Sequence, residues 1–369
     1  MRSAARAQDG IPSAVTDRRE LMPRPTTQTA CLDALAASAL NSDPDIATVC
    51  GAFARIHSDF TRRLHADSDW CEAFGAAASS SSTAKRVLVV GLGSGIPALA
   101  AAKAGCHVLW AQRLPLSARH LQAVPERLAK ANGVEDKIQS TSVRQWSELS
   151  RLAAHADGPF DLIITEEIGD DPLADGLLRI AQLAHTSGLL RPSTGLFAPS
   201  RLRLYAQLLS VRLPPRSGFD LNRLNSLRSN KTAAWHDAEQ IMYAEGADSI
   251  QCLSEQAVHL LTIDLNEPNE WPKDLMTVDG HVCTIEARAS CGGKLTSLVY
   301  WAELDLPNGG VMQLGPPLQG GLSRAPRPCS RRARRQRLHH LSCEREVVAD
   351  EMIRLRLRVA IDRVSVDVE

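Results

Sequence analysis

Several common signals are missing from this 369-residue chain, and each absence removes a class of protein. Its nine cysteines include no Cys-x-x-Cys pair. The spacing therefore offers neither a zinc site nor a disulfide framework, and an odd count fits a reducing compartment. The cysteines read as buried small hydrophobes. No run approaches about 18 consecutive apolar residues, and the N-terminus lacks the basic-then-apolar order of a secretory signal. Net charge is missing too: Lys+Arg and Asp+Glu are both 42, and the pI is near 7.2. The surface as a whole is therefore not built to attract polyanions. No internal repeat is visible. The expectation is a soluble protein of the cytoplasm or the nucleus, with no membrane segment and no bound metal.

What is present organises into parts. The length suits two associated subdomains with room for a substantial core. Residues 1–45 form a polar, proline-containing leader whose first 24 residues carry five Arg, two Asp and one Glu. Disorder is the expected state there, with an organelle transit peptide as the alternative. A helical stretch follows over 46–78, then the serine run 79–82. From Arg86 apolar runs and helical patterns alternate: a strand at 86–90, a helix at 96–104, a strand at 107–111, and a helix at 117–132 closed by Asn132-Gly133. A strand follows at 160–165, then a helix at 172–190 with Asp171 as N-cap before the first-turn Pro172. Such alternation implies a parallel, doubly wound α/β sheet. After Pro199 the stretches 202–209, 259–265, 281–290 and 295–304 are strand-like. Apolar residues alternate with arginine over 353–361, and the phase shift at Asp362-Arg363 predicts a final hairpin. An α/β domain over 46–198, Rossmann-like, followed by a β-barrel-like domain over 199–369, is the expected architecture, with 320–345 as a basic irregular segment.

Gly91-Leu-Gly93-Ser-Gly95 stands between a buried strand and a helix, where the backbone must turn sharply and approach a ligand closely. A dinucleotide fingerprint would want Gly-x-Gly-x-x-Gly, but Ile96 occupies the third glycine's place. A tight turn without a ligand is the plain alternative. At the end of the next strand, where such sites place a carboxylate for the ribose hydroxyls, the chain has Gln112, a neutral and weaker acceptor. Glu166, Glu167, Asp170, Asp171 and Asp175 lie on the loop after the 160–165 strand, at the carboxyl edge where ligands bind. The bland role for Asp170, Asp171 and Asp175 is to complement the next helix N-terminus, and for Asp171 that role is preferred.

Gly91-Leu-Gly93-Ser-Gly95 resembles the first motif of Rossmann-like methyltransferases. The loop from Glu166 to Asp175 resembles the double-glutamate loop of the protein arginine methyltransferases. Leu189-Leu-Arg-Pro-Ser-Thr-Gly-Leu-Phe-Ala-Pro199 leading into Leu204-Tyr205 is similar to that family's entry into its barrel. Gly218-Phe-Asp-Leu-Asn-Arg-Leu-Asn225 and Leu261-Thr-Ile-Asp-Leu265 look like the subfamily containing arginine methyltransferases seven and nine. The resemblance implies S-adenosylmethionine as cofactor, held around Gly91, Gly93, Gly95 and Gln112, with Phe60 in a covering helix. It also implies Glu166 and Asp175 as a clamp on the guanidinium of an arginine-containing protein substrate. A guanidinium is protonated and has no free lone pair, so paired carboxylates must fix its plane and concentrate electron density on the attacking nitrogen. A homodimer is expected on the same ground.

The chain departs from that pattern in places. Asp175 is shorter than the expected glutamate, and Asp69 stands where an arginine would grip the cofactor carboxylate. No His-Trp pair occupies the 320–345 region. A catalytically inactive scaffold with the same fold is the competing reading, and a methyltransferase for small molecules or RNA a third. The basic run 324–337 reads as a solvated loop, with nucleic-acid binding or a nuclear address as its alternatives. His339, His340 and Cys343 lack a fourth ligand for a metal.

Overall fold

In the central strand β1, Arg86–Val90, Val87 through Val90 are wholly buried, as a parallel strand covered on both faces requires. The computed structural model describes residues 86–91, 95–113, 124–155, 158–168, 173, 176–212, 218–220, 240–241, 250–254, 256–277, 279–306, 309–313, 336–361 and 363–368. The leader 1–45, the helical stretch 46–78 and the serine run lie outside these residues. All described residues fall in one compact unit, Ile56–Glu369.

The first sheet is parallel and runs β3-β2-β1-β4-β5. Its strands are β2, His107–Arg113, β3, Ile138–Val143, β4, Leu162–Thr165, and β5, Leu196–Ala198. Helices α1, Ile96–Lys103, α2, Val124–Ala131, α3, Leu149–His155, and α4, Leu177–Thr186, lie between the strands in sequence. Strand order reverses between β1 and β4, so the crevice beyond their carboxyl ends is the natural ligand position of the sheet. On α1, Ala98, Ala101 and Ala102 are buried. Small side chains on that face allow the helix to lie close to the sheet.

One expected helix starts later than its sequence suggests. The N-cap of α4 is Gly176, at φ 99, so the helix opens at Leu177, while Asp171 and Pro172 lie outside the described residues. A residue in the left-handed region ends helical continuity there. Strands β3 and β5 were not anticipated.

Beyond Pro199 every strand pairing is antiparallel. The long strands β6, Arg201–Val211, and β11, Gly293–Asp305, pair from Arg201↔Asp305 to Leu209↔Ser297. Around them a seven-stranded sheet runs β7-β13-β11-β6-β8, with β12 on β11 and β9 on β6. The added strands are β7, Gln240–Ile241, β8, Ile250–Cys252, β9, Val258–Asp264, β12, Val311–Gln313, and β13, Gln336–Val347. A second sheet joins β10, His281–Arg288, β14, Met352–Ala360, and β15, Arg363–Val368. The expected hairpin is β14–β15, with Leu357↔Val366 and Val359↔Val364 buried together. Strand β13 takes in 336–345, so that part of the basic stretch is regular sheet rather than irregular chain.

Leu202, Leu204, Ala206 and Leu208 of β6 face the main core, beside Leu304, Ala302, Tyr300 and Leu298 of β11. On the opposite face Tyr205 stacks on Trp301 at 6.3 Å between ring centroids. Arg203 there bonds Asp305 and reaches Glu303 at 3.4 Å. Burial and then the Glu303 carboxylate push the Tyr205 phenol above its ordinary value.

The parallel sheet and the β-structure are tied by polar bonds. Asn266 brackets the backbone of Phe197, accepting from its N–H at 2.7 Å and donating to its carbonyl at 3.1 Å. His185 Nε2 lies 2.8 Å from the Leu265 carbonyl oxygen. No helix among the described residues is long and apolar enough to cross a membrane.

Candidate active site

Register alone assembles the centre of the site. Val90 of β1 pairs with Ala111 on one side and Thr165 on the other, so Gly91, Gln112 and Glu166 leave the sheet edge side by side. Two bonds fix the row: Gly91 N donates to Ala111 O at 2.9 Å, and Glu166 N donates to Val90 O at 2.7 Å. Three of the residues singled out from sequence are thereby neighbours. Gly93, Asp175 and Phe60, and with them Asp69, lie outside the described residues.

Gly91 sits at φ 127, where a side chain is strained, and a Cβ there would stand 3.2 Å from Glu167 Oε1 and from Glu166 Cβ. Glu167 thus lines the loop as closely as Glu166 does. Its backbone N–H donates to Thr165 Oγ1 at 3.1 Å, and Thr165 is fully buried. The Glu166-Glu167 doublet was visible in the sequence, but only the fold assigns Glu167 to Gly91.

Gly95 caps α1 at φ 69 with no side-chain cap. Its N–H donates to Glu166 Oε2 at 3.4 Å, a long bond that turns the carboxylate toward the glycine loop. The helix dipole favours negative charge at this point. A Cβ on Gly95 would lie 2.1 Å from Trp110 Cη2 and within 2.9 Å of two further atoms of the same ring. Trp110 is 1% exposed, and its Nε1–H donates to the Gly91 carbonyl at 3.0 Å. One indole therefore forms the floor of the loop and anchors it. Sequence reasoning missed this residue, which stands two positions before Gln112 in β2.

Gln112 is 2% exposed, so its neutral amide is an interior group rather than a surface one. Next to it, the Arg113 guanidinium lies over Trp146 at 4.8 Å. A Cβ on Gly176, where the acidic loop returns to α4, would stand 2.7 Å from Trp146 Nε1. The end of that loop is thus held near the end of β2 through one tryptophan.

Among the described residues no group of three or more His, Cys, Asp or Glu is placed to hold a metal ion. His339 and His340 are both buried on β13, where His340 Nδ1 and Ser297 Oγ are 2.7 Å apart.

Fold and site together define a Rossmann-like α/β core, with a glycine turn and carboxylates at its switch point, joined to antiparallel β-structure. No protein-family model matches the chain. In sequence it is 28% identical over 240 residues to an arginine Nω-methyltransferase of Streptomyces achromogenes subsp. streptozoticus. That match takes in 60% of this chain and spans a little over half, 57%, of the relative. In structure it is similar to the Trypanosoma brucei PRMT1 enzyme-prozyme heterotetrameric complex with AdoHcy, at TM-score 0.54 and 18% identity, over 86% of this chain and 92% of that one. The chain is thus similar in sequence to an arginine Nω-methyltransferase over part of its length and shares the fold of a protein arginine methyltransferase.

Proposed function

We propose that this protein transfers a methyl group from S-adenosylmethionine to a guanidino nitrogen of arginine, and more narrowly of an arginine within a protein. The observation that carries this reading is the row Gly91–Gln112–Glu166, which sets a glycine turn, a hydrogen-bonding amide and a carboxylate side by side at the strand-order switch. The likeness to an arginine Nω-methyltransferase supplies the acceptor class. Its name does not say whether the arginine is free or in a protein, so both forms belong in the test. The subfamily containing arginine methyltransferases seven and nine rests on the sequence motifs alone.

The donor set fits the cofactor. Loop 91–95 and the start of α1 would receive its polar groups, Gln112 its ribose hydroxyls, and Phe60 its covering contact. Bound S-adenosylmethionine supplies an electrophilic methyl on a sulfonium. The chain's own task is then positioning and electrostatics. Glu166 and Asp175 hold the guanidinium plane and draw positive charge away from the attacking nitrogen. Glu167, beside Gly91, adds negative potential where both cationic reactants meet.

Gln112 in place of a carboxylate favours a second reading, a scaffold that kept the fold and lost the cofactor. Calorimetric titration with S-adenosylhomocysteine separates the two. Binding by the wild type and its loss in Gly93→Arg support the enzyme; no binding at millimolar ligand by well-folded protein leaves the scaffold. Labelled methyl transfer to free arginine and to an arginine-containing peptide then identifies the acceptor, and Glu166→Gln should abolish it while leaving S-adenosylhomocysteine binding within a few-fold.

A dimer belongs to the same proposal, in view of the heterotetrameric trypanosome relative, and light scattering measures it. So does residence in the cytoplasm or the nucleus, read from imaging of the tagged full chain.

A further inference from the structure

Asp175, the shorter member of the acidic clamp, has one methylene fewer than a glutamate, so its carboxylate reaches about 1.5 Å less, one carbon–carbon bond. A short side chain also has fewer torsions with which to correct a misplaced backbone. Its reach is therefore set by where the chain stands at Gly176, the next residue, about 3.8 Å away from Cα to Cα.

Gly176 is held from two directions. On the helix side its N–H donates to Leu173 O at 3.0 Å, and its carbonyl accepts from Ile180 N at 2.9 Å. Leu173, Leu177 and Leu178 are fully buried, which seats this first turn of α4 in the core. On the other side stands Trp146. A Cβ on Gly176 would lie 2.7 Å from Nε1 and 3.1 Å from Cδ1 of the indole, so the five-membered ring bears directly on the glycine backbone.

The indole is itself fixed. Trp146 is 6% exposed and opens a 3-10 turn, Trp146–Glu148, just beyond β3. Glu148 braces that turn: its carboxylate accepts from Arg144 N at 3.1 Å, and its own N–H donates to Gln145 O at 3.0 Å. The Arg113 guanidinium lies over the ring at 4.8 Å. One side chain thus touches the residue after Gln112 and the residue after Asp175, joining the cofactor side of the site to its acceptor side.

We propose that Trp146 is a positioning residue: by bearing on Gly176 it sets the reach of Asp175 toward the acceptor guanidinium. The proposal rests on the methyltransferase reading and deepens it. Trp146 touches no reactant in this scheme. Its effect passes through one backbone position, and a clamp displaced by a fraction of its reach loses rate, while the glycine loop that holds the cofactor is untouched.

The test measures labelled methyl transfer by the full chain to whichever of free arginine and the arginine-containing peptide the wild type methylates. Trp146→Leu should lower kcat by about ten- to a hundredfold, the cost of a small misplacement, and leave S-adenosylhomocysteine affinity within a few-fold by calorimetry. Adding Asp175→Glu to Trp146→Leu should recover most of that loss, because a longer and more adjustable carboxylate makes up the reach. Trp146→Phe, which keeps an aromatic face for Arg113, should fall between, and it carries the same comparisons if Trp146→Leu does not fold. A readout that needs no activity is amide hydrogen exchange of the ligand-free protein. The first turn of α4, Ile180 included, should exchange faster in the variant, with β1 and β4 unchanged. An unchanged kcat, a loss that glutamate does not recover, cofactor affinity falling in step with kcat, or unaltered exchange in α4 overturns the proposal. Wild type that methylates neither acceptor overturns the methyltransferase reading and, with it, the role in transfer. The two failures are distinct, since only failure of the Trp146 role alone leaves wild-type transfer intact.

Discussion

Replacing Gly95 by alanine tests what the third glycine of the loop is for. At φ 69 an alanine Cβ costs about 1–2 kcal/mol in backbone strain. The 2.1 Å approach to Trp110 Cη2 adds an overpacking cost of about 1–3 kcal/mol, because that ring is buried and has nowhere to retreat. The sum, about 2–5 kcal/mol, should appear as a lower urea midpoint for the ligand-free protein. Trp110→Phe removes the three offending atoms, which all belong to the outer ring of the indole. Alone it is also destabilising, through lost packing and the lost bond to the Gly91 carbonyl, about 0.5–1.5 kcal/mol for the bond. Combined with Gly95→Ala it relieves the clash and leaves only the strain. The double-mutant cycle should therefore show a coupling of about 1–3 kcal/mol in favour of the pair. Additivity within about 0.5 kcal/mol would refute the packing argument. An alanine that leaves the ligand-free midpoint unchanged and lowers only S-adenosylhomocysteine affinity would show that the glycine serves the ligand alone.

Gln112→Glu should tighten S-adenosylhomocysteine binding by about 1 kcal/mol, roughly fivefold by calorimetry, as a charged acceptor outperforms a neutral one. At a 2% exposed position the new carboxyl has a folded value above its unfolded one, so the ligand-free variant loses stability as pH rises through the carboxylate range, seen in urea midpoints against pH. Asp274 behaves oppositely. The bond from His281 Nδ1 at 2.8 Å holds its carboxyl below the ordinary 3.8, so its contribution is complete above the unfolded value and is lost as pH falls through the folded one. An NMR titration of Asp274 should show the depression in wild type and its loss in His281→Gln.

Those parts of the fold were legible whose residues meet one repeating environment. In β14, Ile353, Leu355, Leu357 and Val359 are wholly buried while Arg354 and Arg356 face outward, and the sequence alternates accordingly. Strand β3, Ile-Gln-Ser-Thr-Ser-Val, escaped because it is the edge of its sheet, pairs only with β2, and buries little beyond Ile138 and Val143. Strand β13 escaped because its arginines and histidines carry no period, and the burial of His339 and His340 is a tertiary fact. The start of α4 was misplaced because Asp171-Pro172 is a good opening signal, whereas Gly176 is needed by Trp146, which is far away in sequence. In the site, Gly91, Gln112 and Glu166 were legible because each immediately follows a buried strand residue in a largely apolar run, Val90, Ala111 or Thr165, and strand ends in a parallel sheet converge on one edge. Trp110 and Glu167 were not, since their roles depend on contacts across strands.

This difference changes how the glycine motif should be weighed. From sequence, three glycines look like more than a turn requires, and the excess argues for a ligand. In the structure the count is partly accounted for by packing: Gly95 is required by Trp110, and Gly91 by its left-handed backbone and by the two glutamates against it. The case for a cofactor therefore shifts from the number of glycines to what surrounds them. A turn that served only to reverse the chain would have no need of two half-buried carboxylates set against it just beyond β4. The helix N-terminus at Gly95 meets one of them, through a bond of 3.4 Å. Acids at that place suit a cationic ligand such as a sulfonium or a guanidinium, which is why cofactor binding, rather than the glycine pattern, decides the function.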